Sequence, residues 1–341
     1  MAEKRTVAVL GASGYTGAEL LRLLAWHPYF DVVAVTAAAH EGAAVADLYP
    51  GLAAAYPGLR FGPTVAAAAA RADLVFCALP HGASQKLVPE LLGTVGHVVD
   101  LSADFRLKDP GLYPTWYGAE HTCPELLEQA VFGLPELDRE RLAGARLVAA
   151  PGCYVTAATL ALAPLVRGGL VQPTGIVVDA ASGASGAGRK LADGTQFCTV
   201  DEDFTAYGLL THRHTPEMEQ AIGAQLLLFT PHLAPMNRGI LATCYARPVP
   251  GRDDGPLELL AQAYAGEPFV VVSDRSPSTK ATLGANTSHV TARRDPRTGW
   301  VVAICALDNL VKGASGQALQ CANAVMGWPE TTGLPLAGLA P

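Results

Sequence analysis

The sequence is poor in charge, and it lacks basic clusters and long apolar runs. Charged residues make up 16% of the 341 residues, against 50% hydrophobic residues, and the formal net charge is −7. Without a cluster of Lys and Arg, a nucleic acid is not an expected partner. No apolar run reaches the roughly 18 residues of a membrane span, so no membrane partner is expected either. The apolar run at 7–10 stops at a glycine and therefore predicts a first strand, not a signal peptide.

The seven cysteines contain no CxxC pair, and their number is odd. This pattern excludes a disulfide framework and a zinc ribbon, so no metal is expected. Free thiols predict a reducing, cytoplasmic setting. Cys123 stands in a loop without an evident base. Five others, inside apolar strands or a helix, are interpreted as buried and inert: Cys77, Cys198, Cys244, Cys305 and Cys321.

The order of the predicted elements indicates an α/β fold with two domains. Strands at 6–10, 30–36, 74–78 and 97–101 alternate with helical patterns, which predicts a parallel sheet with helices on both faces. Beyond residue 150 the predicted strands are longer and fewer helices separate them. A second α+β domain on a mixed or antiparallel sheet is therefore expected. We assign 1–150 and a C-terminal helical segment, 310–341, to the first domain, and 151–309 to the second.

A glycine-rich turn follows the first predicted strand and opens a helix. It reads Gly11-Ala-Ser-Gly-Tyr-Thr-Gly17, a spacing variant of the dinucleotide fingerprint. Glycines let the backbone approach a pyrophosphate, and the free N–H groups at the helix start meet its charge. The alternative is an ordinary strand-to-helix turn. The context favours a dinucleotide site formed by Gly11, Ser13, Gly14, Tyr15, Thr16 and Gly17.

The end of the second predicted strand indicates which dinucleotide is bound. NAD-binding folds usually place Asp or Glu there, on the ribose 2′-hydroxyl. This sequence has no acid between Val35 and Glu41, and a carboxylate would repel the 2′-phosphate of NADP. NADP(H) is therefore the predicted cofactor. Thr36 or His40 is expected to help to bind its phosphate.

Cys153 has the sequence context of a nucleophile. Pro151-Gly152 predicts a turn, and a helix is predicted directly after the cysteine. A thiol at a helix N-terminus is favoured as thiolate, and the same N–H groups can hold an oxyanion after attack on a carbonyl. The alternative is one more inert cysteine, which the turn-then-helix context disfavours.

A cysteine nucleophile requires a proton-transfer partner, and the segment 211–219 offers two histidines. His212 and His214 would point to opposite faces of an extended strand, so only one is expected to face the site. Thr215 and Pro216 resemble the N-cap and first residue of a helix. Glu217 is a candidate to orient one histidine. The alternatives are a polar loop or an HxH metal pair, which would require further ligands.

Seven motifs occur in order along the chain: Gly11–Gly17, Leu79-Pro-His-Gly82, Asp100-Leu-Ser-Ala-Asp-Phe-Arg106, Pro151-Gly-Cys153, Ser182-Gly-Ala-Ser-Gly-Ala-Gly-Arg189, His212-Arg-His-Thr-Pro-Glu217 and Asp308-Asn-Leu-Val-Lys-Gly313. Glu330-Thr-Thr-Gly-Leu-Pro335 follows them close to the end of the chain. Together they resemble the N-acetyl-gamma-glutamyl-phosphate reductase family of arginine biosynthesis, which belongs to the semialdehyde dehydrogenase superfamily.

The resemblance implies a Rossmann-like NADP domain, a substrate and dimerisation domain, and a homodimer or homotetramer. It matches Cys153 to the nucleophile and His214 to the acid/base, with His212 in reserve. It also implies cofactor contacts at Asn309 and Gly313, and the loop that starts at Ser182 and Gly183 is assigned to the same site. Val155 departs from the family, which often has proline there, and little chemical effect is expected.

The implied reaction reduces an acyl phosphate to an aldehyde through a thioester on Cys153, with NADPH as reductant. Ser102 and Arg106 follow a predicted strand end and are assigned to phosphate or the nearby site, and the alternative is a plain surface loop. Arg189 or Arg238 is expected to pair with a substrate carboxylate, and the sequence does not decide between them.

Four alternatives remain at this point. A lysine-biosynthesis reductase acting on carrier-bound aminoadipyl or glutamyl phosphate would require a basic docking surface, which the net charge disfavours. Aspartate-semialdehyde dehydrogenase shares the chemistry, but the 212–217 segment argues against it. A non-catalytic NADP sensor would leave Cys153 unexplained. A cysteine hydrolase would leave the glycine turn unexplained.

Overall fold

The computed structural model describes residues 4–339 of the chain. Fourteen strands lie within this range, and they form two seven-stranded sheets. In chain order they are β1 (Arg5–Leu10), β2 (Phe30–Thr36), β3 (Phe61–Gly62), β4 (Leu74–Cys77), β5 (His97–Asp100), β6 (Val131–Phe132), β7 (Leu147–Ala149), β8 (Thr174–Gly183), β9 (Thr205–Ala206), β10 (Leu226–Ala234), β11 (Ile240–Ala246), β12 (Val270–Val272), β13 (Ser288–Arg294) and β14 (Val301–Leu307).

The α-helices of the described range differ widely in length. α7 has 15 residues, whereas several others form a single turn. They are α1 (Tyr15–Leu24), α2 (Val45–Leu48), α3 (Ser84–Leu91), α4 (Tyr113–Tyr117), α5 (Glu125–Gln129), α6 (Pro135–Asp138), α7 (Cys153–Arg167), α8 (Phe197–Val200), α9 (His214–Ile222), α10 (Pro256–Ala263), α11 (Thr279–Thr282) and α12 (Gly316–Val325). Across residues 4–339, none of them combines the length and apolar character that crossing a bilayer requires.

The chain divides into two compact units. Unit 1 contains the chain up to Pro151 together with Ala314–Leu334. Its sheet is entirely parallel, with strand order β3-β2-β1-β4-β5-β7-β6. Strands buried on both faces read as continuous apolar runs, and all four residues of β4 are buried. The parallel α/β domain expected from the sequence is confirmed.

Unit 2 contains Gly152–Gly313 and the residues that follow 334. Its sheet has the order β12-β13-β14-β11-β8-β10-β9 and is mixed, because β10 pairs with β8 in parallel while β11 pairs antiparallel with β8 and β14. Burial alternates strictly along β11, so one face is covered and the other is partly open. α7 packs on the covered face. The expected second α+β domain on a mixed sheet is confirmed.

The C-terminal segment is divided between the two units, which differs from its expected assignment to the first domain. Residues 310–313 belong to unit 2, and so do residues 335–339. Residues 335–339 belong to unit 2 because two backbone hydrogen bonds join this segment to it. Asn286 N donates to the carbonyl of Pro335 at 2.8 Å, and Leu339 N donates to that of Leu283 at 2.7 Å.

Candidate active site

The glycine turn of unit 1 has the shape that its sequence predicts, and two of its glycines are required by packing. Gly11 has φ +83°, and a Cβ there would lie 2.4 Å from the carbonyl oxygen of Ala78. A Cβ on Gly17 would lie 2.5 Å from Cα of Ala12. The first glycine therefore permits the turn, and the third permits close packing of α1 against it.

Gly14 differs from the other two glycines. Its φ of −80° is open to any residue, and the nearest atom to an added Cβ is 3.8 Å away. Neither packing nor backbone conformation requires glycine here, so the face above Gly14 is open for a ligand. The neighbouring Ser13, Tyr15 and Thr16 lie at the start of α1, where the first N–H groups of a helix have no partner within it.

Thr36 does not have the position expected of a phosphate ligand. It is fully buried, and its hydroxyl oxygen accepts from Gly11 N at 3.2 Å. Its backbone carbonyl accepts from Gly11 N and Ala12 N as well. Thr36 therefore holds the glycine turn against β2. His40 remains partly exposed beyond the end of that strand.

The loop after β5 is built around a buried carboxylate, Asp100. Its oxygens accept from the hydroxyls of Ser84 and Ser102, both at 2.7 Å. Ser102 also accepts from Asp104 N, so its hydroxyl is used inside the loop. Arg106 is buried and donates to the carbonyl of Leu101 at 2.8 Å. The Ser102 hydroxyl and the Arg106 guanidinium are thus both used inside the loop, and their expected phosphate role stays a prediction.

Asp100→Asn is predicted to change how stability depends on pH. Burial raises the pKa of Asp100 to about 6, against the hydrogen bonds from Ser102 and Ser84. A raised carboxyl pKa gives stability that is present below about pH 4 and is lost as pH rises through 6. The ionised form costs on the order of 3 kcal/mol relative to the protonated one. Asn should therefore raise the free energy of unfolding at pH 7 and match the wild type near pH 4.

Urea unfolding of the two proteins at pH 4, 5 and 7 measures this difference. Because the same partners surround both side chains, other titrating groups cancel in the comparison. A difference that stays constant across the three pH values would contradict the assigned burial cost.

Cys153 in unit 2 lies where its sequence context places it. It is the first residue of α7, directly after the N-cap residue Gly152. The thiol is partly buried. The dipole and unpaired N–H groups of a helix this long favour a thiolate and can bind an oxyanion. Gly313 packs against the same residue, because a Cβ on Gly313 would lie 2.9 Å from Cβ of Cys153.

α9 brings its first turn to the start of α7. A Cβ on Gly152 would lie 2.3 Å from Nε2 of His214, so this imidazole lies against the residue that precedes Cys153. Glu217 is fully buried, and its Oε1 accepts from Gly152 N at 2.8 Å. The structure thus brings Cys153, His214 and Glu217 together, and Glu217 fixes one helix start to the other.

The expected strand geometry of the two histidines is wrong. His214 is the first residue of α9, and the rings of His212 and His214 lie 4.7 Å apart. Nδ1 of His212 accepts from His214 N at 3.1 Å. Burial, reinforced by Arg213, lowers the pKa of His212 to about 4. His212 is therefore a neutral ring that supports the start of α9.

Tyr154 and Tyr207 form part of the site and were not identified from the sequence. The Tyr154 ring meets His214 edge-on with centroids 5.9 Å apart. Its hydroxyl donates to the carbonyl of His232 and accepts from the hydroxyl of Tyr207, both at 3.1 Å. Burial raises the pKa of Tyr207 to about 12, so it stays a neutral donor. In the sequence, the position of an aromatic residue directly after Cys153 was the only sign that Tyr154 belongs to the site.

The loops after β8 and β14 are joined by Asn309. Its Oδ1 accepts from Gly239 N at 2.7 Å, and its Nδ2 donates to the Ser185 hydroxyl at 2.9 Å. Ser182 is buried, and a Cβ on Gly183 would lie 2.6 Å from the carbonyl oxygen of Asn237. These residues hold the loops in place, and the cofactor contact expected of Asn309 stays a prediction.

The two candidate arginines differ in their surroundings. Arg238 is 18% exposed, and its guanidinium lies 3.2 Å from the Asp308 carboxylate. Arg189 is exposed on the loop after β8. Arg238 is thus held in place by an ion pair with Asp308, whereas the Arg189 side chain is exposed to solvent.

The remaining cysteines of the described range are buried, with one exception. Cys198 is exposed on α8, so the expectation that it lies buried is wrong. The reason is that the predicted apolar element is a single exposed turn. Within 4–339, no group of three His, Cys, Asp or Glu side chains is placed to hold a metal ion.

Two family models match the chain and define its class. Residues 6–145 match the semialdehyde dehydrogenase NAD binding domain, and residues 153–309 match the semialdehyde dehydrogenase dimerisation domain. The parallel sheet with its glycine turn, and the cysteine at the start of the second domain, are therefore those of a semialdehyde dehydrogenase. A nicotinamide cofactor follows from the first match.

Similar proteins identify the family within this class. N-acetyl-gamma-glutamyl-phosphate reductase from Rhodospirillum rubrum is 49% identical over 100% of both chains. The protein of the same name from Symbiobacterium thermophilum is 48% identical over 97% of this chain and 98% of its own. The chain belongs to the N-acetyl-gamma-glutamyl-phosphate reductase family.

Solved structures share the fold. Aspartate semialdehyde dehydrogenase II from Vibrio cholerae has a TM-score of 0.72 at 15% identity, covering 96% of this chain and 99% of that one. The Candida albicans enzyme, solved with NADP, has a TM-score of 0.64 at 13% identity, covering 94% and 98%. At these identities the likeness concerns the fold alone.

Gly14→Ala is predicted to weaken cofactor binding without loss of stability. The added methyl would stand on the open face of the turn, where a pyrophosphate approaches the backbone, so the Kd for NADPH should rise about tenfold or more. Gly11→Ala is the matched control. Its positive φ and the contact with Ala78 should lower the free energy of unfolding by more than about 1 kcal/mol.

Calorimetric titration with NADPH and urea unfolding, applied to both variants, separate the two effects. Unchanged NADPH affinity in folded Gly14→Ala would contradict a pyrophosphate site at this turn.

Proposed function

We propose that this protein reduces N-acetyl-L-glutamyl 5-phosphate to N-acetyl-L-glutamate 5-semialdehyde and phosphate, with NADPH as reductant and through a thioester on Cys153. The observation that carries the proposal is the meeting of two helix starts, with Cys153 first on α7 and His214 Nε2 against Gly152. The substrate is taken from the relatives that match over nearly the whole chain, which are named N-acetyl-gamma-glutamyl-phosphate reductases.

Cys153 acts as the nucleophile. Its thiolate attacks the carbonyl carbon of the acyl phosphate, the S–C bond forms, and the C–O bond to phosphate breaks. The departing phosphate takes up a proton. N–H groups in the first turn of α7 stabilise the negative charge that develops on the carbonyl oxygen.

When bound at the glycine turn of unit 1, NADPH would supply the hydride that reduces the thioester carbonyl carbon. His214 then protonates the oxygen of the hemithioacetal and removes that proton as the carbonyl re-forms and the C–S bond breaks. Cys153 leaves this step as a thiolate. His214 is preferred to His212 because the pKa of His212 lies near 4, so that its ring is not protonated at neutral pH and cannot act as the general acid.

NADP is preferred to NAD because an arginine and a histidine flank the loop after β2. Arg60 is exposed, and its guanidinium donates to the carbonyl of Gly42 at 2.7 Å. The ring of His40 lies 6.4 Å from that of Phe61, the residue after Arg60. Glu41 is the single acid in 37–44. Comparing kcat/KM for NADPH and NADH tests this preference, and equal values would contradict it.

The open face of the unit 2 sheet supports a homo-oligomer. It carries partly exposed apolar side chains at the centre of the sheet, and Leu226 and Leu228 on β10 are 74% and 47% exposed. The matched dimerisation-domain model covers this sheet. Sedimentation analysis should give a homodimer or homotetramer, and a monomer at micromolar concentration would contradict this part of the proposal.

A substrate panel in the reverse direction tests the reaction. N-acetylglutamate semialdehyde with phosphate and NADP should yield NADPH, followed by absorbance. Aspartate semialdehyde and carrier-bound aminoadipate semialdehyde should react far more slowly. A preference for the carrier-bound substrate would overturn the assigned substrate while leaving the chemistry in place.

A further inference from the structure

A buried carboxylate organises the loops that follow β4 and β5. Asp104 is fully buried, and its side chain accepts from Gly82 N at 2.7 Å and Gln85 N at 3.0 Å. Nδ1 of His81 lies 2.6 Å from the same carboxylate. Although burial raises it, these hydrogen bonds hold the pKa of Asp104 below its usual range. The carboxylate therefore stays ionised and fixes one edge of the His81 ring.

Aromatic side chains fix the His81 ring from another direction. Its centroid lies 4.3 Å from that of Tyr117, which in turn stacks on Tyr113 at 5.2 Å. The Tyr113 hydroxyl donates to the backbone carbonyl of Asp104 at 2.7 Å, and His121 Nε2 lies at the same distance from that oxygen. The ring is thus held by its edge and by its face, with little freedom to turn.

This arrangement leaves the second ring nitrogen of His81 for a ligand. With Nδ1 facing the Asp104 carboxylate, Nε2 is the ring nitrogen left for a ligand, and in the tautomer with hydrogen on Nδ1 it accepts a hydrogen bond. The side chain keeps 22% of its surface exposed although its partner has none. A held imidazole with one accessible nitrogen suits a ligand that presents an N–H or O–H donor.

The position of His81 in the sheet indicates which ligand this is. β1 and β4 are neighbours at the centre of the sheet, and the strand order runs outward from them in opposite directions. Dinucleotides bind in the crevice outside the carboxyl ends of the strands at such a switch point. The Gly11 turn forms one wall, and its contact with Ala78 shows that the loop leading to His81 forms the other.

We propose that His81 positions the nicotinamide half of the cofactor. Its Nε2 accepts a hydrogen bond from a donor on the nicotinamide riboside, and Asp104 keeps the ring in the required tautomer. The pyrophosphate lies at the glycine turn on β1, so the nicotinamide half extends to the β4 side of the crevice. The proposal rests on the nicotinamide cofactor of the proposed function and not on the identity of the acyl phosphate.

Two variants and two probes test this role. In His81→Asn the amide takes the place of Nδ1 and leaves nothing at the position of Nε2, whereas the longer amide of His81→Gln reaches that position. By calorimetry, His81→Asn should bind NADPH about tenfold more weakly, and His81→Gln should recover part of the loss. Adenosine 2′,5′-bisphosphate, which lacks the nicotinamide half, should bind all three proteins equally.

Three results would overturn the proposal. Unchanged NADPH affinity in His81→Asn would remove His81 from the cofactor site. Equal losses for both probes would show general damage to unit 1. Unchanged affinities with a raised KM for phosphate in the reverse reaction would assign His81 to phosphate. Since the titrations contain no acyl phosphate, failure of the proposed substrate would be seen separately.

Discussion

Cys153→Ser is expected to lower kcat by about 10⁴-fold or more, because a serine hydroxyl is not ionised at neutral pH and forms no thioester. The start of α7 stabilises a thiolate but cannot activate an alcohol to the same extent. Phosphate-dependent NADPH formation from N-acetylglutamate semialdehyde measures the loss.

The control for this variant is Cys198→Ser, because Cys198 is the exposed cysteine among the described residues that lies outside the site. It should keep wild-type activity. NADPH affinity should be the same in both variants and the wild type. Activity of Cys153→Ser within tenfold of the wild type would remove Cys153 from the reaction.

His214→Asn is expected to lower kcat by about 10²- to 10⁴-fold, the usual contribution of a general acid and base. The change removes the imidazole next to Gly152, while Asn is still accommodated at the start of α9. Steady-state kinetics of the variant and the wild type at saturating substrate concentrations measures this loss.

His212→Asn is the matched comparison for His214→Asn. The Asn oxygen can replace Nδ1 as the acceptor for His214 N, so the start of α9 should persist. Because the pKa of His212 lies near 4, its loss should leave the pH dependence of kcat above pH 5 unchanged. An equal or greater loss of kcat in His212→Asn would reverse the roles of the two histidines.

The sequence predicted the elements whose patterns are local. β1, β2, β4 and β5 lie where the sequence predicts strands, because their apolar runs end in turn residues. Such strands can be recognised in the sequence because a strand that is buried on both faces requires a continuous run of apolar residues. The second sheet was predicted to be mixed or antiparallel, since its longer strands are separated by few helices, and the structure shows it to be mixed.

The sequence did not predict features that depend on tertiary contacts. The segment His212-Arg-His214 was predicted as extended chain. In the structure a helix begins at His214, and this helix also carries Glu217, which accepts a hydrogen bond from Gly152. Thr36 was a candidate phosphate ligand because it ends the second predicted strand, where no acid stands, whereas the structure buries it behind the glycine turn. The pairing of His81 with Asp104, 23 positions apart, leaves no local signal.

The most direct test of the thioester mechanism is a single turnover without phosphate. With N-acetylglutamate semialdehyde and NADP, we predict a burst of one NADPH per Cys153, and intact-mass analysis should show one N-acetylglutamyl group attached at that residue. Added phosphate should discharge the adduct. Phosphate-dependent turnover with neither a burst nor an adduct on Cys153 would contradict the mechanism.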